Sequence, residues 1–74
     1  MTTKVVDARG QKCPIPVLKA EKALAGLKAG GALTVLATDP MAKVDIPLFC
    51  RQQGYACTVT SEGDVLTFAI VKAG

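Results

Sequence analysis

The chain has 74 residues, half of them apolar and a fifth charged, enough for one domain with a small core, since a chain this short buries only about 60% of its unfolded surface on folding. Nine lysines and arginines against six acids give a net charge of +3, sprinkled rather than clustered, which favours acidic partners only mildly. One tyrosine, two phenylalanines and no tryptophan offer no stacking platform for single-stranded nucleic acid, and the lack of histidine removes the usual general base and any Cys-His nucleophile pair.

Residues 4 to 8, "KVVDA", form a short β-branched run that "GQKCP" breaks, so a strand is expected to lead through a glycine loop into a helix. From Pro14 onward Val17, Ala20, Leu24 and Leu27 trace one helical face, which "AGG" at 29 to 31 closes. "ALTVLAT", 32 to 38, alternates as a second strand. A strand, helix and strand at this spacing make a crossover unit with parallel strands. "TDP" at 38 to 40 is a helix-start signal, but Pro47 follows seven residues later, and Asp45 ahead of "IP" reads as a second start. The expectation is a loose turn over Met41 to Val44 and a helix from about Ile46 to Gln53, ended by Gly54.

"YACTVT" and "VLTFAIV" are two further strands, joined through "SEGD" as a hairpin. The resulting order, βαβαββ, predicts an α/β (α+β) two-layer sandwich: a four-stranded mixed sheet with two helices on one face. Leu66, Phe68 and Ile70 of the last strand are expected to face the helices. Val65, Thr67, Ala69 and Val71 are expected to line a far face unusually apolar for one meeting water.

The candidate reactive group is Cys13. It falls at the expected cap position of the first helix, with Pro14 at the first helical position and Pro16 two residues on, where missing amides cost the helix nothing and the fixed φ stiffens the turn. The amides left at Ile15 and Val17, the helix dipole, and Arg9 and Lys12 on the preceding loop are expected to favour the thiolate and lower the thiol pKa. The alternative is a cysteine that merely fills a small apolar space. Cys57, alternating with Val59, is expected to point inward, and Cys50, beside Leu48 and Phe49, to pack, with a resolving-thiol role for Cys50 as an alternative. Three cysteines at these spacings match neither a disulfide framework nor a zinc site, so reduced thiols and no metal are expected. Ile15 and Leu18 lie well round from the inward stripe, near Lys19 and Lys22, and together these four are a candidate docking surface bordering the sulfur. No run reaches membrane-spanning length and "MTTKVVDARG" lacks a signal-peptide core, so a cytoplasmic location without membrane attachment is expected.

"DARGQKCPIP", with Asp7, Gly10, Cys13, Pro14 and Pro16, followed by "TDP" and "DIPLFC", closely resembles the TusA/SirA family of small sulfur carriers through essentially the whole chain. The resemblance implies a two-layer α/β fold and a carrier cysteine, Cys13. That cysteine takes sulfane sulfur as a persulfide from a cysteine desulfurase or rhodanese and passes it to the cysteine of another carrier. Asp7, Gly10, Pro14 and Pro16 match the motif without being reactive, and no cofactor is implied. Family routes include thiolation of the tRNA wobble uridine, molybdenum-cofactor maturation and sulfur oxidation; direct nucleic-acid binding is not expected. Two other classes stand beside this one: a non-catalytic regulatory or protein-interaction module, and a thiol-redox protein using Cys13 with Cys50.

Overall fold

The computed structural model describes residues 4–12 and 14–72. Its elements run β1 (Lys4–Ala8), α1 (Ile15–Ala25), β2 (Ala32–Ala37), α2 (Ala42–Gln53), β3 (Ala56–Glu62) and β4 (Val65–Val71). Because the side chains of a strand alternate between faces, register decides which residues meet in the core. The sheet order is β1-β2-β4-β3, with β1 and β2 parallel and the other two pairs antiparallel. The central inward row is Val6, Val35, Phe68 and Val59, flanked by Leu33 with Ile70 and by Ala37 with Leu66. Ala20, Ala23 and Leu24 of α1 and Ala42, Ile46 and Cys50 of α2 close over this row, and Phe68 is the largest fully buried side chain. Both helices therefore cover one face, as the βαβαββ order predicts.

The other face carries Val5, Thr34, Ala69 and Thr58 in one row and Asp7, Leu36, Thr67 and Thr60 in the next. Val5 and Val71 are exposed there. The apolar outer face expected of the last strand is thus present, with threonines interleaved.

Three helix details depart from the sequence reading. The buried stripe of α1 is Pro16, Ala20, Ala23 and Leu24, with Val17 and Leu27 only half-buried. Val17 and Leu27 still pack against the margin of the core, and the stripe widens to take in the fully buried Pro16 ring and Ala23. The helix also ends at Ala25 instead of at residues 29 to 31. Beyond Ala25 the amides of Gly26 and Leu27 reach back three residues, to Ala23 and Leu24, and the Lys72 ammonium donates to the Leu24 and Leu27 carbonyls at 2.9 and 2.8 Å. A cation on these last carbonyls completes the helix end without further turns.

The third departure is in α2, which starts at Ala42, so the loose turn expected over Met41 to Val44 is helical and Pro47 stands inside the helix. Asp39 explains the early start: its Oδ1 accepts the Met41 N–H and its carbonyl accepts the Ala42 N–H, both at 3.0 Å. An interior proline costs a helix about 3 kcal/mol. Burying Ile46 alone contributes about 1.5–3 kcal/mol, and Ala42 and Cys50 on the same stripe add to it, so packing outweighs the lost hydrogen bond. At the other end Gly54, at φ 79°, stops the helix as expected, with Tyr55 N–H on the Cys50 carbonyl and Gly54 N–H on that of Arg51.

Candidate functional site

The residues around position 13 are fixed from both sides. Gln11 N–H donates to the Ala8 carbonyl at 3.2 Å, closing a four-residue turn in which Gly10 alone has positive φ, 79°, as a type II turn demands. Gly10 N–H also donates to the Thr38 hydroxyl at 2.9 Å, tying this loop to the end of β2. Further on, Ile15 N–H donates to the Lys12 carbonyl and Leu18 N–H to that of Pro14, both at 3.0 Å. Cys13 itself lies outside the described residues, while Lys12 before it and Pro14 after it are each held by a backbone hydrogen bond.

These bonds revise two expectations. Pro14 is the cap residue, with φ −93° and ψ 14°, and Ile15 is the first helical position. The Ile15 amide is occupied by Lys12, so it is not left over to bond a sulfur. The cause is the tight turn over residues 12 to 15, which spends that donor before the helix begins.

Arg9 is also committed. Its Nε and Nη2 grip the two oxygens of Asp7 at 2.9 and 2.8 Å, and its backbone N–H donates to Asp7 Oδ1 at 3.1 Å. The fork holds the Asp7 carboxyl down at about 2, chiefly through the side-chain hydrogen bond, and raises the Arg9 pKa in return. Both side chains are 53% exposed, so the pair contributes little stability. Its effect is to cancel the Arg9 charge that was expected to act on Cys13. The loop's unpaired positive potential comes from the exposed Lys12 and the start of α1.

Because α1 follows β1 and α2 follows β2, and these strands are parallel, both helices begin at the same end of the sheet. Between their starts lies a shallow cleft of about 230 Å³ lined by Gly10, Gln11, Lys12, Thr38, Asp39 and Pro40. The Gln11 Oε1 is buried with no hydrogen-bond partner among the described residues. Nothing in the residue pattern signals that atom, since glutamine is ordinarily a surface residue.

The candidate docking residues Ile15 and Leu18 are 42% and 54% exposed, Lys22 is exposed and Lys19 is half-buried. Sequence reasoning missed a second group: Met41, Val44 and Leu48 of α2 are each at least half exposed. Their spacing of three and seven was the available signal, obscured by the expected loop at 41 to 44. Lys19 and Lys22 line a groove of about 370 Å³ with Lys4, Val6 and Ala23, beside β1.

Cys50 is fully buried, and Cys57 is half-buried against the core, close enough for the two thiols to hydrogen-bond. Burial, reinforced by Cys57, pushes the Cys50 thiol up to about 12, and burial likewise raises Cys57. Burial and the raised pKa both disfavour a reactive thiolate at Cys50, and both sulfurs pack with the core.

The family profile described as Sulfurtransferase TusA matches residues 4–72. A Neisseria meningitidis protein provisionally named a sulfur carrier is 44% identical over 72 residues, 97% of each chain. The sulfur carrier protein TusA of a Pseudomonas putida strain is 47% identical over 51 residues, 69% of this chain and 64% of that one. The crystal structure of a SirA-like protein from Desulfitobacterium hafniense is 35% identical, covers 99% of this chain and 100% of its own, and superposes with a TM-score of 0.86.

Proposed function

The chain belongs to the TusA sulfurtransferase family, and from that premise we propose that it is a cytoplasmic sulfur carrier whose Cys13 holds sulfane sulfur as a persulfide. The Cys13 thiolate attacks the terminal sulfur of a donor enzyme's cysteine persulfide. One S–S bond forms as the donor's breaks, and the donor cysteine leaves as a thiolate. An acceptor cysteine on another carrier protein then attacks the same terminal sulfur and releases Cys13 as a thiolate. Neither step changes the net oxidation level, so no metal or redox cofactor is required. The donor is a cysteine desulfurase or a rhodanese.

The observation that carries this proposal is the anchored loop-to-helix junction on either side of Cys13, in a segment the family profile spans. Asp7 occupies Arg9, Gly10 makes the turn, Pro14 caps α1 and Pro16 packs beneath it, while Lys12 and the helix start supply positive potential. Ile15 and Leu18, with Met41, Val44 and Leu48 at the same end of the helix layer, offer partner enzymes an apolar landing beside the cargo. Among the described residues no helix is long and apolar enough to cross a membrane.

The test is intact mass after incubation with a cysteine desulfurase and cysteine. Wild type is expected to gain one sulfur atom, removable by reductant, and Cys13→Ser to gain none. Equal loading of the variant, or no loading of wild type by either donor class, would overturn the proposal.

A further inference from the structure

The open edge of the sheet at β1 carries a second docking feature. β1 pairs only with β2, so among the described residues its outer backbone edge has no strand partner. Along that edge runs the groove between β1 and α1. Its floor is the half-buried Val6 and the buried Ala23, and its walls are Lys4, Lys19 and Lys22. No acid lines it. Glu21 points about 100° round the helix from Lys22, and Asp7, on the opposite face of β1, is taken by Arg9.

We propose that this groove docks an extended acidic segment of a partner protein, added as a strand along β1. Three cations around an apolar floor, with only Asp7 acting on Lys19 from the opposite face of β1 and itself held by Arg9, call for a ligand of opposite charge. An extended chain presents alternate side chains on one face about 6.8 Å apart. Lys19 and Lys22, one helical turn apart, have Cβ atoms about 5–6 Å apart, a spacing that flexible lysine stems match to successive carboxylates. The free backbone edge selects a strand over a helix, because only a strand can use its N–H and C=O groups. α1 runs antiparallel to β1, so Lys4 and Lys22 mark the end of the groove away from residue 13, and Ile15 and Leu18 stand one turn nearer to it. A segment acidic at one end and apolar at the other would register the partner's reactive end toward Cys13. Only this purpose rests on the carrier proposal; the contact rests on the groove.

The probe is a synthetic peptide of alternating Glu and Val, followed by amide-resolved NMR on the wild-type chain. Binding is expected to weaken with salt and to shift the amides of residues 4–8 and 19–23. Methylating the peptide nitrogens that face β1 is expected to abolish it. A triple variant Lys4→Gln, Lys19→Gln, Lys22→Gln is expected to bind about tenfold more weakly, the scale of three exposed ion pairs. Shifts confined elsewhere, equal affinity of the triple variant, indifference to N-methylation, or tighter occupation of the same residues by an RNA oligonucleotide would each overturn the assignment. The last two outcomes would leave the lysines as edge protection or as a polyanion site. Loading Cys13 from inorganic polysulfide, read by intact mass, should be equal in wild type and the triple variant. The carrier chemistry and the docking groove can therefore fail separately.

Discussion

The two helices begin at the same end of the sheet but use their positive ends in opposite ways. α2 fills its start with carboxylates: Asp39 accepts the Met41 amide, and Asp45 stands in the first turn. α1 has no acid in its first turn and no side-chain cap, and the nearby Asp7 carboxylate is consumed by Arg9. One helix dipole is satisfied by its own chain. The start of α1 meets no such carboxylate among the described residues and keeps its preference for an anion. The prolines follow the same division. Pro14 and Pro16 sit where α1 has no internal acceptors to lose, whereas Pro47 removes an interior donor from α2.

The largest expected effect comes from the head of α1. Pro16 is fully buried, so Pro16→Ala removes ring carbons from the core and loosens the unfolded chain, and a loss of about 2 kcal/mol is expected in urea unfolding. An unchanged midpoint would mean that the ring does not hold the helix start. Pro47→Ala should act in the opposite direction. It restores an amide to the Lys43 carbonyl while giving up a half-buried ring, for a net gain of about 1 kcal/mol in the same experiment. If both substitutions shift stability the same way, the contrast between the two helices fails.

Much of this division was legible in the residues, and the exceptions have physical causes. Alternation in "VLTFAIV" placed Phe68 and its neighbours correctly because one buried face leaves a strand no choice of register. Gly10 and the proline pair stood out because the required backbone conformations are particular to glycine and proline. The start of α2 was misplaced because a local rule, proline ends helices, met a tertiary one, the burial of Ala42, Ile46 and Cys50 at intervals of four. Burial prevailed, and the apolar stripe at Met41, Val44 and Leu48 was hidden with it. Arg9 was expected to act on the cysteine because proximity in sequence suggests a shared field. The competing partner, Asp7, lies only two residues earlier, near the end of β1, a distance at which only coordinates distinguish pairing from coincidence. Lys72 left no sequence signal at all, since its partners are the Leu24 and Leu27 carbonyls more than forty residues away.

The smallest effect tests whether the Asp7 carboxylate is in fact withheld from α1. Its folded-state pKa, about 2, lies below the ordinary 3.8. Stability from this pair is therefore fully present above pH 3.8 and is lost as pH falls through 2, the direction expected when the unfolded state binds the proton more tightly. In an NMR titration of the carboxyl carbon, wild type should show a midpoint near 2, and Arg9→Gln should return it toward 3.8 with little change in the urea midpoint at neutral pH. Lys19 also favours the ionised carboxylate, more weakly. A midpoint that stays low after Arg9→Gln would therefore assign the field to Lys19 and the helix. Arg9 would then be free to face residue 13, and the difference between the two helix starts would lie in Asp39 and Asp45 alone.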